Sequence, residues 1–488
     1  MRIAYVSSES VPYASTGGLG DVALSLPTAL RRRGLDLVKI LPLYRKVWEG
    51  GARLSDTGMR FRLPVGFRLH TAEIWRDEEA DPPVYFVRRD EYYDRRELYS
   101  LPERDYDDNF ERFVFFQKAV VALLEVLDYR ADIVHCNDWQ TALIPLFLKH
   151  GIQGFGRAGR ERTVMTIHNL AYQGIFPGSE FGLTNLPFSC FSVDGMEFYG
   201  QINCLKAGIL AADRITTVSP TYADEIRTEL HGYGLDGVLR RVGDRLHGIL
   251  NGADYAVWNP ANDPHLPRCY TAEDVAAGKA AAKRTLLARF GAGADDGRPL
   301  VGMISRLVDE KGMDLLAETM PELMTRPLRL VLLGAGMERY QQMCREWARR
   351  WPDRFAATIG FDLGHAHLIE AGSDLFLMPS RHEPCGLTQL YALKYGTLPI
   401  VHSVGGLKDT IRDLSPDGSE GNGFAFVEYT APALLAVLDR ALGLFAQPAI
   451  WAAAVRRAMA EDHSWGRSAA AYEDVYRLAL GAAPPPPA

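Results

Sequence analysis

Residues 374–403 read DLFLMPSRHEPCGLTQLYALKYGTLPIVHS, and this stretch holds two apolar strands with a helical pattern between them. The strands are predicted at 374–380 and 398–403, because each is a short apolar run that ends in polar residues. The residues before them alternate in the same way, with strands predicted at 299–305, 328–333 and 355–360. Strands joined by crossover helices form a parallel sheet that helices cover on both faces. The second half is therefore predicted to be a doubly wound α/β domain.

The first half of the chain alternates less regularly. Strands are predicted for the apolar runs at 3–6, 37–41, 132–140, 163–169 and 214–220. A helix is predicted from Leu19 to Gly34, and Pro27 inside it predicts a bend or a broken turn. We expect a second α/β domain of the same doubly wound type.

The alternation of strand and helix patterns is interrupted at 247–263, where turn residues and prolines cluster. This segment is predicted to cross between the two domains. The first domain is predicted at 1–250 and the second at 251–462, while the proline-rich residues 481–488 are predicted to be a disordered tail. Ligands of such sheets bind beyond the carboxyl ends of the strands, so we expect the active site in the cleft between the domains.

The composition excludes several classes of protein. A net charge of −7 and a pI near 6.0 argue against a nucleic-acid-binding protein. No run approaches the roughly 20 apolar residues of a membrane helix, so no membrane partner is expected. The six cysteines show no C-x-x-C spacing and no signal peptide is evident, which predicts reduced thiols and a cytoplasmic location.

A glycine pair, Gly17 and Gly18, lies between the first strand and the first helix. Main-chain N–H groups at a helix N-terminus attract anions, so the pair could approach a phosphate. The alternative is a tight turn whose glycines need a positive φ. The sequence leaves both interpretations open.

Two cations follow a strand in SRLVDEKG, residues 305–312: Arg306 and Lys311. An arginine and a lysine at the carboxyl end of a strand suit a diphosphate. The alternative is a solvated loop in which Asp309 and Glu310 neutralise both cations.

The loop RHEPCGLTQ, residues 381–389, combines a carboxylate with a helix N-terminus. Glu383 and the amides from Gly386 to Thr388 could hold sugar hydroxyls or a phosphate. Cys385 is predicted to be a small buried apolar residue rather than a nucleophile. A second glycine pair, Gly405-Gly406, repeats the strand–glycine–helix arrangement after the next strand.

Polar residues that suit a sugar follow two strands of the first half. They are His168 and Asn169, with Tyr172 and Gln173 behind them, and the run Asp138-Trp139-Gln140. The sequence contains no metal-ligand spacing and no hydrolase motif. Cations for phosphate together with polar groups for a sugar indicate a transferase that uses an activated sugar.

A family resemblance is carried by a series of motifs in order: TGGLGDV, YYDRRELY, DDNFERF, NDWQTAL, TIHNLAYQGIF, NCLKAGI, TTVSPTYADEI, GYGLDGVL, SRLVDEKG, RHEPCGLTQLYALKYGTLPIV, GGLKDT and HSW. In this order they resemble bacterial glycogen synthases and plant starch synthases that use ADP-glucose, the retaining glycosyltransferase family 5. The resemblance implies a GT-B fold, with an acceptor-side Rossmann-like domain at 1–250 and a nucleotide-sugar-binding one at 251–462. It also implies that a helix at 463–480 returns to pack on the first domain.

The resemblance implies a role for each matching residue. Arg306 and Lys311 would bind the diphosphate and offset the charge on departing ADP. Glu383 would hold the donor glucose. The amides of Cys385, Gly386 and Leu387 would assist it.

Other matching positions complete the expected site. His168 would lie under the reacting sugar, and Asp138 near the sugar hydroxyls. The remaining donor-binding positions are Ser15, Gly17, Gly18, Asp21, Phe361 and Thr388.

Two positions depart from the family pattern. Phe361 replaces a tyrosine that usually stacks on adenine, and keeps the stack without the hydroxyl. Ser15 replaces a lysine. Losing a charge-assisted contact costs roughly 1.5–3 kcal/mol, or about one to two decades of donor affinity. The sequence therefore predicts a donor that is held more weakly or differently.

The resemblance predicts an α-1,4-glucan 4-α-glucosyltransferase that moves glucose from ADP-glucose to glycogen or a maltooligosaccharide with retention of configuration. No cofactor and no metal are expected. Two alternatives stay open: a related GT-B transferase with another nucleotide sugar, and a non-catalytic glucan-binding protein.

Overall fold

The structure is a computed structural model that describes residues 1–101, 104–127, 129–152, 161–291 and 294–482. The chain divides into two compact units. Unit 1 comprises Met1–Asn251 with Trp465–Ala488, and unit 2 comprises Gly252–Ser464. Most of the predicted disordered tail, from residue 483 onward, lies outside the described residues.

Unit 1 alternates strands and helices along Met1–Asn251. Its strands are β1 (Arg2–Val6), β2 (Asp36–Pro42), β3 (Leu54–Val65), β4 (Arg68–Asp77), β5 (Val84–Arg88), β6 (Ser100–Leu101), β7 (Arg104–Asp105), β8 (Ile133–Asn137), β9 (Arg162–Ile167), β10 (Ile175–Pro177), β11 (Glu197–Phe198), β12 (Gln201–Asn203), β13 (Arg214–Thr217) and β14 (Leu246–Gly248). Its helices there are α1 (Gly18–Arg32), α2 (Arg45–Glu49), α3 (Asp90–Tyr93), α4 (Asn109–Val126), α5 (Ile144–His150), α6 (Cys204–Ala211), α7 (Pro220–Glu225) and α8 (Asp236–Val242).

The main sheet of unit 1 has nine strands in the order β14-β13-β9-β8-β1-β2-β5-β4-β3. Neighbours from β14 to β5 pair in parallel, whereas β4 pairs antiparallel with both β5 and β3. The parallel part confirms the predicted α/β type. The long β3–β4 hairpin extends the sheet beyond what the sequence indicated.

Helix α1 runs unbroken through Pro27, so the predicted broken turn does not form. Proline has no N–H to donate to the carbonyl four residues earlier, which here belongs to Ala23. Lys39 Nζ donates to that oxygen at 3.3 Å, and Thr28 Oγ1 donates to Leu24 O at 2.7 Å. Lys39 thus satisfies the one carbonyl that loses its donor to the proline.

Unit 2 is built more regularly. Its helices and strands are α9 (Val275–Arg289), β15 (Leu300–Ile304), α10 (Met313–Leu323), β16 (Arg329–Gly334), α11 (Glu338–Arg350), β17 (Phe355–Ile359), α12 (Leu363–Gly372), β18 (Leu375–Met378), α13 (Thr388–Lys394), β19 (Leu398–His402), α14 (Gly405–Thr410), β20 (Phe424–Phe426), α15 (Ala431–Phe445) and α16 (Pro448–Met459). Its six strands follow the order β17-β16-β15-β18-β19-β20, and every pair is parallel. The predicted doubly wound sheet is confirmed. The predicted site residues of this unit follow β15, β17 and β18, and the second glycine pair follows β19.

The last helix, α17 (Trp465–Ala479), belongs to unit 1. Trp465, Tyr472 and Tyr476 are buried in one apolar cluster with Ile3 of β1 and Leu26 of α1. The same helix is tied to the end of the first segment by Ser468 Oγ, which donates to Leu250 O at 2.6 Å. Unit 1 is therefore made of two segments of sequence.

No single helix in the described part of the chain is long and apolar enough to cross a membrane. Only α15 and α16 taken together reach the required length and hydropathy, and they are bent by 109° where they meet.

Candidate active site

In unit 2, Arg306 lies on the exposed loop after β15. Its guanidinium forms no ion pair or hydrogen bond with any residue that the structure describes. Asp309, which could have neutralised it, instead binds Arg339 at 2.5 Å and accepts a hydrogen bond from Tyr340. The loop therefore presents a cation with no partner of its own.

Lys311 is paired with the carboxylate of Glu383, 72 residues away, at 2.6 Å between Nζ and Oε2. Ser380 Oγ donates to the same oxygen at 3.0 Å. Glu383 is 5% exposed, and its Oε1 has no partner among the described residues. Two donors thus orient this buried carboxylate through one oxygen and leave the other available to accept a hydrogen bond.

The backbone around Glu383 is held by the second glycine pair. A Cβ on Gly405, whose φ is +44°, would overlap the carbonyl oxygen of Glu383. A Cβ on Gly406 would overlap the carbonyl oxygen of Cys385, and the Gly406 N–H donates to Glu383 O at 3.2 Å. Only glycines allow the start of α14 to approach this loop so closely.

The loop then turns into α13. Cys385 is 4% exposed and its thiol is unoxidised, as predicted for a small buried residue. Gly386 has φ +74°, and the amides of Gly386 and Leu387 have no main-chain acceptor in the described structure. Thr388 begins α13, and its side-chain Oγ1 donates to Met378 Sδ at 3.4 Å. The loop offers two N–H groups beside the Glu383 carboxylate.

Phe361 lies at the surface of unit 2, between β17 and α12, with 81% of its area exposed. The next residue, Asp362, caps α12 by accepting from the His365 N–H at 2.7 Å. The ring is held on a capped helix start and leaves its faces open to a flat partner.

In unit 1, the glycine pair Gly17-Gly18 forms the start of α1. Gly17 has φ −173°, an extended backbone that any residue adopts, and a Cβ on either glycine would meet no atom within 4 Å. A turn that requires positive φ is therefore the wrong interpretation. Both glycines are instead bordered by open space where a side chain would lie, which leaves room for the close approach of a ligand.

The residues around this pair are held by a carboxylate that the sequence did not single out. Glu9 accepts from Thr16 N at 2.5 Å and from Thr16 Oγ1 at 2.8 Å, while Tyr99 OH donates to it at 2.7 Å. Ser15 Oγ donates to Gly17 O at 3.0 Å. Asp21 is exposed in the first turn of α1. Ser15 thus braces the loop instead of offering a charge.

Asp138 follows β8 with a strained φ of 53° and is 8% exposed. Its Oδ1 accepts from the main-chain N–H of His168 at 2.8 Å. Burial raises the pKa of Asp138 to about 7, against the hydrogen bond from the His168 N–H, and the charge of Glu9 raises it further. The side chain fastens the loop after β9 to the end of β8.

His168 is partly buried at the end of β9, and burial lowers its pKa to about 3. Its Nε2 lies 2.9 Å from Oδ1 of Asn137, the last residue of β8. The neutral ring acts as a hydrogen-bonding group near pH 7, since it carries no charge there. The structure brings His168 and Asp138, both predicted site residues, into direct contact.

Gln173, predicted to suit a sugar, is committed to the protein. Its amide accepts from Asn203 Nδ2 at 2.6 Å and donates to Tyr233 O at 3.0 Å. Tyr172, by contrast, is exposed.

Three further residues of these contacts, Glu9, Asn137 and Ser380, were not predicted from the sequence. Asn137 ends β8, Glu9 follows β1 and Ser380 follows β18, so their place at the carboxyl ends of strands is a signal that could have found them. Among the described residues there is no group of three histidines, cysteines or acids that could hold a metal.

Known proteins resemble this chain along its length. Residues 2–241 match the family described as "Starch synthase catalytic domain", and residues 287–456 match "Glycosyl transferases group 1". The chain is 47% identical to the glycogen synthase of Anaeromyxobacter dehalogenans, covering 98% of this chain and 99% of that one. It is 45% identical to the glycogen synthase of Geotalea daltonii, with the same coverage.

Solved structures show the same fold. The catalytic domain of starch synthase IV from Arabidopsis thaliana, bound to ADP and acarbose, has a TM-score of 0.88 and 32% identity and covers 98% of this chain and 99% of that one. Sucrose-phosphate synthase from Thermosynechococcus elongatus, at 18% identity and a TM-score of 0.60 over 99% of this chain and 100% of that one, shares the fold alone. The fold is GT-B, and the chain belongs to the family of glycogen and starch synthases.

Proposed function

We propose that this protein lengthens an α-1,4-glucan by transferring glucose from ADP-glucose to the 4-hydroxyl of a non-reducing end, with retention of configuration. A nucleotide-sugar donor and a glucan acceptor follow from the family. The proposal is carried by one arrangement in unit 2: the unpartnered cation of Arg306 on the loop that also bears Lys311, which is paired with the buried Glu383.

The leaving group of this reaction is a nucleoside diphosphate, and its negative charge grows as the glycosidic bond breaks. Arg306 can bind two phosphate oxygens through its planar guanidinium, and Lys311 adds a second positive charge on the same loop. Such preorganised charges stabilise the transition state without a metal. In this proposal the departing phosphate serves as the base that accepts the proton of the acceptor hydroxyl.

The transferred sugar needs acceptors and donors for its hydroxyls. Glu383 Oε1 can accept a hydrogen bond from a sugar hydroxyl, while the amides of Gly386 and Leu387 can donate. Because Lys311 and Ser380 already hold Oε2, the free oxygen keeps one orientation. Such preorganisation favours the transition state over the bound substrate.

His168 would serve as an uncharged partner of the sugar, since its low pKa keeps it neutral throughout the physiological range. In unit 1, the open amides before α1 would face the donor's phosphates. Phe361 offers an exposed ring for the base. A cytosolic location is part of the proposal, because all six cysteines are free thiols.

The test is glucose incorporation into glycogen from ADP-glucose and, separately, from UDP-glucose, with a control that lacks acceptor. Acceptor-dependent transfer that favours ADP-glucose is the expected result. Transfer from UDP-glucose alone would mean that UDP-glucose is the donor. Both donors are tested because Ser15 and Phe361 depart from the family pattern at positions expected to contact the donor. Binding of glycogen without transfer from either donor would overturn the enzyme assignment.

A further inference from the structure

Asn137 is fully buried at the end of β8, and its side-chain amide has only one possible orientation. Its Nδ2 donates to the main-chain oxygen of Val6 at 2.9 Å. A carbonyl oxygen can only accept, so the NH₂ group must face Val6 and Oδ1 must face the opposite side. There Oδ1 meets Tyr5 OH at 3.1 Å and His168 Nε2 at 2.9 Å.

The orientation of this amide determines where His168 carries its proton. Oδ1 of Asn137 has no hydrogen to donate, so the hydrogen between the two groups belongs to Nε2 of His168. In a neutral imidazole the other nitrogen, Nδ1, then holds a lone pair and can only accept.

The main chain of His168 is held by the neighbour of Asn137. Asp138 Oδ1 accepts the His168 N–H at 2.8 Å, so two consecutive residues grip the backbone and the ring of the same histidine. Turning the ring over would place Cε1 in the position of Nε2 and break the contact with Asn137 Oδ1, so this contact holds the ring in one orientation.

We propose that Asn137 is a positioning residue that holds His168 in the Nε2–H tautomer, so that Nδ1 accepts a hydrogen bond from a hydroxyl of the sugar. The identity of the partner as a sugar hydroxyl rests on the proposed function. The tautomer does not, because it follows from the protein's own contacts.

The first test is nuclear magnetic resonance of the protein with ¹⁵N-labelled histidine, in which long-range ¹H–¹⁵N correlations distinguish the two tautomers. A His168→Gln variant assigns the signals of this ring among the 12 histidines. We expect protonated Nε2 and bare Nδ1, unchanged between pH 6 and pH 8. A His168 that carries its proton on Nδ1 overturns the proposal, whatever the enzymatic activity.

The second test is the Asn137→Asp variant, which keeps an acceptor for Nε2–H but adds a negative charge that favours the doubly protonated imidazolium. Protonated Nδ1 can no longer accept, so we expect kcat/KM to fall by about ten- to a hundredfold at pH 6 and to recover as the pH rises. A kcat/KM with the parent's pH profile would contradict the role of Asn137.

Other ionisable groups surround His168, and both proteins share them: Asp138, His135, Glu9, Tyr5 and Tyr222. The difference between the two pH profiles therefore reports position 137. Tyr5→Phe is the matched control, because it removes the other donor to Oδ1 and leaves the contact with His168. We expect this control to keep the tautomer and to change kcat/KM by less than about threefold. Control activity that falls as far as in Asn137→Asp would assign the effect to general loss of packing.

Discussion

Two glycine pairs in this molecule follow strands and lie at the starts of helices, but their surroundings differ. Gly17 and Gly18, before α1, have extended or helical backbone and nothing within 4 Å of where a Cβ would lie. Gly405 and Gly406, at the start of α14, pack directly against the backbone of Glu383 and Cys385. The first pair is surrounded by open space, whereas the second supports the backbone of Glu383.

The charges near the two pairs differ as well. Next to the first pair lies the buried carboxylate of Glu9, which accepts from Thr16. The loop supported by the second pair carries Glu383, which is paired with Lys311. The same glycine pair in the sequence therefore corresponds to an open loop in one unit and to a supporting contact in the other.

The largest effect is expected when alanine replaces a glycine of the second pair. Gly405→Ala should lose up to about 5 kcal/mol of stability through overpacking and a left-handed backbone, together with transfer activity. Gly17→Ala and Gly18→Ala, the matched controls, should unfold within about 0.5 kcal/mol of the parent while donor KM rises. Calorimetry and initial rates measure both. Equal destabilisation by alanine in the two pairs would mean that the pairs do not differ in how tightly they are packed.

The next largest effect is expected at Asp138, a buried acid of unit 1. The folded-state pKa of Asp138 lies near 7, well above its ordinary value, so ionisation favours the unfolded protein. Its contribution to stability is thus present at low pH and is lost as the pH rises from about 4 through 7.

Asp138→Asn does not titrate, so its stability relative to the parent should increase with pH across that window. Roughly three pKa units correspond to at most about 4 kcal/mol. Urea unfolding of both proteins at pH 5 and pH 8 measures this. A stability difference that stays constant with pH would mean that Asp138 in the folded protein has the pKa of an ordinary aspartate.

Removing the unpartnered side chain of Arg306 should have a smaller effect, which is confined to function. Arg306 has no partner to strand, so Arg306→Ala should keep the thermal midpoint and weaken donor binding by about ten- to a hundredfold. Arg339→Ala is the matched control, since Arg339 is bound to Asp309 on the same loop. Titration with ADP measures the affinity, and similar losses in both variants would argue against a specific role for Arg306.

The smallest effect is expected at Ser15, where a positive charge can be added to a loop that contains no lysine or arginine. Ser15→Lys should lower the KM for the nucleotide-sugar donor by about tenfold and leave kcat within about twofold, because a charge-assisted contact is regained. Ser15→Met provides the length without the charge. If both variants raise the KM equally, the loop does not approach the donor's phosphates.

Much of the fold could be predicted because apolar runs mark buried parallel strands. The predicted strand at 355–360 forms at Phe355–Ile359, and the one at 37–41 forms at Asp36–Pro42. The β3–β4 hairpin was missed because exposed and buried residues alternate along β3, so it contains no apolar run. Strands buried on one face only give a weaker signal.

The partners within the site depend on contacts between distant residues, which sequence spacing does not reveal. Asp309 and Glu310 are next to Lys311 in sequence, yet the lysine pairs with Glu383. The residue types at the strand ends were readily predicted. Which carboxylate meets which cation, and which glycine pair stays open, follow only from the folded backbone.

The position of α17 at the end of the sequence affects how unit 1 folds during synthesis. The ribosome must add all of unit 2 between Asn251 and Trp465 before α17 can cover Ile3 and Tyr5. At about 5–20 residues per second this takes roughly 10–40 s. During that interval the first 251 residues present an uncovered apolar surface, while unit 2 emerges as one uninterrupted segment. Unit 2 can therefore finish folding first, although its sequence is translated second.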